Sequence, residues 1–208
     1  MFAPGSGRYL VLSGLGLAVL TVGLAAGWLA SPLVPAVLLG AGWVLWLFFV
    51  VFFRDPERVP GDGIVAAADG RIVAVAVDGD RVRIATFMAV TDVHVNRLPV
   101  DGRFTAIATD GRGHRPAYVP DADHNLQRHY TIATALGSIE VVQMTGLVAR
   151  RLVSLVRVGD ERRKGERFGL IVLGSRVDVL LPAARVTVTV RPGDRVRAGA
   201  TTIARERA

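Results

Sequence analysis

Phe168-Gly169-Leu170-Ile171-Val172-Leu173-Gly174-Ser175-Arg176-Val177-Asp178-Val179 holds a short apolar run, a Gly-Ser step, and then an alternation of apolar and charged residues. Leu170 to Leu173 has the length and branching of a buried strand, and Val177 to Leu181 that of another. Outward from this point the texture repeats. Arg71 to Val77, Arg81 to Phe87, Ile139 to Gln143, Leu152 to Val158 and Val186 to Val190 are short segments rich in Val and Ile, punctuated by Asp-Gly and Gly-Asp turns. Nothing beyond residue 53 sustains a helical period, so the pattern predicts a mainly β domain. Gly111 to Arg128 is polar, carries Pro116 and Pro120, and reads as a long loop.

An internal echo points to a sandwich. Val156-Arg157-Val158-Gly159-Asp160 followed by Gly165, and Val188-Thr189-Val190-Arg191-Pro192-Gly193-Asp194 followed by Gly199, share a strand, a Gly-Asp turn and a glycine five residues after the Asp. An apolar strand follows each. This resembles the flattened β-sandwich of biotinyl and lipoyl domains. A lipoyl carrier proper needs a modifiable lysine at a hairpin tip, whereas the one lysine, Lys164, lies in Arg162-Arg163-Lys164-Gly165-Glu166 without the acidic and methionine neighbours of such tips.

Before the β region the chain is of another kind. Tyr9 to Ala30 and Leu33 to Phe53 contain no charged residue, and each is about 20 residues, enough to cross a hydrocarbon core. Ser31-Pro32 between them breaks a helix. Residues 1–53 therefore read as a membrane anchor of two transmembrane helices, about 9–30 and 33–53, forming a hairpin, and residues 54–208 as the polar domain. A cleaved signal peptide is the rival for the first run, with Arg8 ahead of it and Ala25-Ala26-Gly27 behind; the second run would still anchor the chain. Arg8 before the hairpin and Arg54 and Arg58 after it put both ends, and the β domain, on the cytoplasmic side of the cell membrane.

The net charge is +7, and all the basic residues but Lys164 are arginine. On a tethered domain that excess suits an anionic membrane surface. Nucleic acid is a poorer match, because the arginines are scattered and no aromatic stacking platform accompanies them. A solvated arginine-rich surface accounts for many of them as well. With no cysteine, disulfides, thiolate metal sites and cysteine nucleophiles are excluded.

A Gly-Ser step leaving a strand is ordinarily a strand end. Its company is more specific: Ala68-Asp69-Gly70-Arg71-Ile72-Val73, Asp92-Val93-His94-Val95-Asn96-Arg97-Leu98-Pro99-Val100-Asp101-Gly102, and Val148-Ala149-Arg150-Arg151. In this order, over roughly residues 50 to 204, the blocks resemble the short-form members of the phosphatidylserine decarboxylase family, archaetidylserine decarboxylases included. The resemblance implies a self-cleaving zymogen built on a sandwich related to the lipoyl fold. The Gly174–Ser175 bond cuts itself, Ser175 becomes a covalent pyruvoyl group, and fragments 1–174 and 175–208 stay associated. That group would form a Schiff base with phosphatidylserine in the bilayer and release CO2, giving phosphatidylethanolamine with no metal.

By motif, Asp69 matches the self-processing aspartate and His94 the active-site histidine. From the residues alone, Asp69 reads as a plain Asp-Gly turn and His94 as a core histidine in the apolar stretch Phe87 to Val95, and it is the resemblance that reverses both readings. A near-neutral pKa would suit His94 both to deprotonate Ser175 and to return a proton after CO2 leaves. Long-form members carry a second histidine three residues on; here that position is Arg97, which leaves open whether His94 or Asp69 is the base and offers Arg97 as a ligand for the substrate carboxylate or phosphate. Arg176 is a second candidate substrate ligand, or with Asp178 a structural pair. His114, His124 and His129 lack metal-site spacing, and Asn125-Leu126-Gln127-Arg128 keeps only the ends of the family's Asn-Glu-Arg. The alternative from another class is a non-catalytic, lipoyl-like membrane adaptor in which Ser175 only ends a strand. Ester or ether lipid, and the oligomeric state, self-association included, stay open.

Overall fold

Apolar residues on every side and the absence of charge make helices of the two N-terminal runs, α1 (Gly7–Ala25) and α2 (Leu33–Phe52). The computed structural model describes residues 1–27, 33–113, 124–146, 151–172 and 175–207; the Ser31-Pro32 turn expected between the helices falls outside them. Both helices are long and apolar enough to cross a membrane. Small residues let them approach: a Cβ on Gly14 would lie 3.0 Å from the Trp46 ring, and one on Gly42 2.9 Å from Leu17. The indole N–H groups find acceptors on the partner helix, Trp46 at the Leu10 carbonyl (2.9 Å) and Trp43 at Thr21 Oγ1 (3.0 Å). The Ala3 N–H bonds the Phe53 carbonyl and the Asp55 N–H the Met1 carbonyl, both at 2.8 Å, so the hairpin's two ends lie together.

The chain divides into two compact units, Met1–Pro56 and Glu57–Ala208. In the second, fourteen strands are described: β1 (Ile64–Val65), β2 (Gly70–Asp78), β3 (Arg81–Met88), β4 (Val95–Arg97), β5 (Gly102–Asp110), β6 (Gln127–Thr134), β7 (Gly137–Thr145), β8 (Arg151–Ser154), β9 (Glu161–Arg162), β10 (Arg167–Val172), β11 (Ser175–Pro182), β12 (Val186–Val188), β13 (Arg195–Val196) and β14 (Thr202–Glu206). They form an eight-stranded sheet in the order β13-β2-β3-β11-β7-β6-β5-β9 and two three-stranded sheets, β1-β14-β12 and β4-β10-β8. The named strands pair antiparallel. The unit is mainly β, as the alternation predicts. One core joins the sheets, with Ile72, Ile84, Ile139, Ile171 and Val177 around the aromatic trio Phe104, Tyr130 and Phe168. Their ring centroids lie 5.0–6.1 Å apart.

The sequence echo is a structural repeat. Asp160 and Asp194 each accept, through Oδ2, the N–H three residues back, from Arg157 at 3.2 Å and Arg191 at 2.9 Å. The Gly159 N–H bonds the Phe104 carbonyl and the Gly193 N–H the Ile72 carbonyl, both at 2.8 Å, and the Phe104 and Ile72 N–H groups answer to the Asp160 and Asp194 carbonyls at 2.9 Å. Gly165 and Gly199 then bond the Leu98 and Ala66 carbonyls, again at 2.8 Å. β9 thus stands to β5 as β13 stands to β2, at the two edges of the large sheet.

Strands β5 and β6 went unread in the sequence. In β5 a register shift between Phe104 and Ala106 breaks the alternation that would have marked it. The expected loop from Gly111 also ends two residues early, since β6 begins at Gln127. Leu152 to Val158 stops as a strand at Ser154, whose hydroxyl donates to the Val156 carbonyl at 2.8 Å and turns the chain.

A chain beginning at Glu57 should fold. Far-UV circular dichroism should show a β spectrum and urea a single cooperative transition; a chain without such a transition would show that the β unit needs the helices.

Candidate active site

Ser175 opens β11 and is fully buried. Cross-strand it faces Met88 of β3 and Thr145 of β7. Alternation turns Ser175, Val177 and Val179 to the core and Arg176 and Asp178 to the other face. The Ser175 hydroxyl donates to Met88 Sδ at 3.3 Å. A thioether is a weak acceptor, so this buried hydroxyl is withdrawn from water and only weakly bonded. Leu173 and Gly174, and with them the carbonyl side of the expected scissile bond, lie outside the described residues.

His94 is also fully buried. Its backbone carbonyl accepts from the Ile171 N–H at 3.2 Å, which sets it beside β10, four residues upstream of Ser175. Nδ1 lies 2.8 Å from the Asp92 carbonyl; a carbonyl only accepts, so the neutral ring carries its proton on Nδ1 and Nε2 is the basic nitrogen. The turn that holds Asp92 is closed on itself, with the Ala89 N–H donating to Asp92 Oδ2 at 2.9 Å.

Asp69 is buried, with both carboxylate oxygens on the Arg58 guanidinium (the Nη2–Oδ2 contact is 2.7 Å) and Oδ1 also accepting the Ala198 N–H at 2.8 Å. Arg58 Nη1 reaches on to the Ala198 carbonyl at 2.8 Å. Directly after Asp69, Gly70 has φ +148°, and the place a Cβ would take is 2.0 Å from the Phe87 carbonyl oxygen. Only glycine lets β2 start this close to β3. β3 stands between β2 and β11, so Gly70 is two strand spacings, about 10 Å, from Ser175.

The two candidate substrate arginines have protein partners. Arg97, buried in β4, donates from Nη1 to the Gly165 carbonyl at 3.0 Å, and its stem fills the space a Cβ on Gly199 would need. Arg176 pairs twice with Asp178, at 2.8 and 2.9 Å, on the sheet face opposite Ser175, with Arg83 3.9 Å from Asp178. Of the remaining histidines, His129 Nδ1 meets Glu140 at 2.7 Å, and His114 is outside the described residues. No three His, Asp or Glu gather as a metal site among the described residues.

Several residues of this region went unread. Asn96 and Gln143, both fully buried, share a 2.7 Å bond, and the Asn96 amide reaches Met88 Sδ at 3.8 Å. Asn96 stands two residues after His94, the spacing that puts both on one face of a strand, so alternation could have found it. Asn125, noted in the sequence only as the first residue of the Asn125–Arg128 motif, donates to the Thr145 carbonyl at 2.7 Å, at the residue that pairs with Ser175. Arg58 sits in a polar stretch that gives no sign of its partner, eleven residues on.

The chain belongs to the phosphatidylserine decarboxylase family, whose model matches residues 45–204. It is 41% identical over 175 residues to the phosphatidylserine decarboxylase proenzyme of Thermobifida fusca, covering 83% of this chain and 77% of that one. Over 168 residues it is 44% identical to a Halobacterium salinarum protein that carries the name archaetidylserine decarboxylase proenzyme, covering 79% and 84%. The Streptomyces griseus phosphatidylserine decarboxylase proenzyme is 41% identical over 179 residues, covering 85% and 80%.

Arg58→Met would leave the Asp69 carboxylate buried without its cation. Losing one partner of a buried ion pair costs about 3–5 kcal/mol, so the full chain in detergent should melt at a clearly lower temperature. An unchanged melting temperature would show that the pair contributes nothing to the fold.

Proposed function

We propose that the protein is a self-processing decarboxylase of serine phospholipids, and that Ser175, fully buried at the head of a strand paired on both edges, is the observation that carries this reading. Glycine before the serine admits Oγ to the Gly174 carbonyl with no Cβ in the way. The Oγ–carbon bond forms as the hydroxyl proton passes to a base; the Gly174–Ser175 C–N bond then breaks and the nitrogen takes a proton, giving an ester. Loss of the Ser175 Cα proton with cleavage of the Cβ–Oγ bond releases Gly174 as a carboxylate and leaves dehydroalanine, which tautomerises and takes up water, losing ammonia, to give a terminal ketone. The site suits such a group: it is buried, and its main chain is fixed by both neighbouring strands. The ketone supplies an electron sink for the bond between the substrate's Cα and its carboxylate.

In this reading His94, with Nε2 basic, removes the Ser175 hydroxyl proton and later delivers one to the substrate carbon. Asp69 supports processing through the Arg58 pair, which ties residues 58, 69 and 198 together beside β3. Arg97 and Arg176 hold the framework through Gly165 and Asp178, and any contact with the headgroup is secondary. The helices keep the β unit at the membrane that contains its substrate, on the cytoplasmic side by the charges of Arg8, Arg54 and Arg58. The matched hairpins support a distant kinship with the biotinyl and lipoyl sandwich.

Purified protein should cut itself without a protease, giving a large fragment and a small one, residues 175–208, on a denaturing gel, while Ser175→Ala stays whole. His94→Ala should lower CO2 release from phosphatidylserine by about 10²–10⁴-fold, the weight of a positioned acid or base, and slow processing too. If His94→Ala cuts at the wild-type rate, the base lies elsewhere. A wild-type chain that stays intact with lipid present favours the non-catalytic adaptor.

A further inference from the structure

Among the described residues one chain of neutral polar contacts runs through the buried interior to Ser175. The Tyr130 hydroxyl donates to Gln143 Oε1 at 2.9 Å, Gln143 Nε2 donates to Asn96 Oδ1 at 2.7 Å, and Asn96 Nδ2 reaches Met88 Sδ at 3.8 Å. The same sulfur receives the Ser175 hydroxyl at 3.3 Å. Tyr130, Gln143, Asn96 and Ser175 are all fully buried. Burial pushes the Tyr130 phenol above its ordinary pKa, against smaller opposing effects of Ser154 and Arg128, so it remains a donor. A donor at Gln143 Oε1 turns that amide's N–H groups toward Asn96, and a donor at Asn96 Oδ1 likewise turns the Asn96 N–H groups toward Met88 Sδ, the atom that also receives the Ser175 hydroxyl.

Space is reserved for this arrangement. A Cβ on Gly169 would lie 2.5 Å from Gln143 Nε2, so the glycine that opens the motif leading to Ser175 makes room for the amide. Two buried carboxamides are costly unless they are satisfied. The last donor of the chain is nonetheless given to a thioether, the weakest acceptor in the set. A donor so placed is poised for a stronger acceptor that exists only during reaction.

We propose that Asn96 is a hydrogen-bond donor to the oxyanion formed at the Gly174 carbonyl during self-cleavage, and that Gln143 and Tyr130 are positioning residues that act through it. This rests on the self-processing reading above. As the Ser175 Oγ–carbon bond forms and the hydroxyl proton leaves to the base, the carbonyl π pair moves onto oxygen. Asn96 Nδ2–H turns from Met88 Sδ to that oxygen and holds it until the pair returns and the C–N bond breaks. Dipoles fixed beforehand in a buried site need no reorganisation at that moment.

The test is a time course of cleavage in full-length protein made by cell-free synthesis into detergent, read as the intact masses of fragments 1–174 and 175–208. Asn96→Ala should slow cleavage by about 10²-fold, the weight of one oxyanion donor, and Gln143→Leu by a comparable factor. The double variant should be no slower than Asn96→Ala, because the two act as one unit. Tyr130→Phe keeps its ring packed against Phe104 and Phe168 and should slow cleavage about fivefold, as for one lost hydrogen bond, with its melting temperature near that of the wild type. The pH midpoint of cleavage should stay unmoved in every variant, since none is the base. Folded Asn96→Ala or Tyr130→Phe protein cutting at the wild-type rate would overturn the proposal, as would a shifted pH midpoint or a double variant slowed by the product of the singles. Should the two amide variants fail to fold, Tyr130→Phe decides alone. Wild-type protein that never cuts defeats the self-processing reading itself, whereas wild-type cutting with unaffected variants defeats only the role of Asn96.

Discussion

β11 is hydrogen-bonded along both edges, and the rest of the site depends on that constraint. Its register with β3 runs from Ser175↔Met88 to Pro182↔Arg81, and with β7 from Ser175↔Thr145 to Leu180↔Glu140. Ser175 is therefore a ladder residue, with its main chain fixed from both sides before any chemistry occurs. The segment after Ser175 is held again where β13 pairs with β2 and where β14 pairs with β1. A chain cut before Ser175 would keep every one of these pairings. Strand alternation then separates the two faces, sending Ser175 into the core and the Arg176–Asp178 pair outward.

Two largely buried ion pairs sit at one remove from this serine. The Asp69–Arg58 pair lies beyond β3, and Arg176–Asp178 lies across the sheet. Against Ser175 itself stand a thioether, and behind it the amides of Asn96 and Gln143. In a dry interior neutral dipoles act strongly on a developing charge, while a fixed full charge beside the serine would bind the resting state as well as the reacting one. The arrangement favours a centre that is neutral at rest and charged only in passing.

The sheet was legible where alternation was clean and failed where geometry broke the period. β2, β3, β7 and β11 announce themselves through Val and Ile, and the Gly-Asp echo reports a true repeat at both sheet edges. β5 did not, because the shift at Phe104/Ala106 puts consecutive apolar residues out of phase. For the site, Ser175, His94 and Asp69 stood out through the order of their motifs. Asn96 was readable in principle from its spacing to His94, but Gln143 was not: it lies 47 positions from Asn96, and only the pairing of β7 with β11 and of β4 with β10 brings them together. Arg58 is hidden for the same reason, a polar residue after the membrane exit whose partner is fixed by tertiary packing.

The intact mass of the small fragment from purified wild-type protein is the most direct measure of the account. A fragment of residues 175–208 lighter by one ammonia, and otherwise unchanged in composition, than the same peptide starting in serine would carry the terminal ketone that the buried, doubly paired Ser175 is arranged to make. A fragment of unmodified residues 175–208, or an uncut chain of 208 residues, would contradict it.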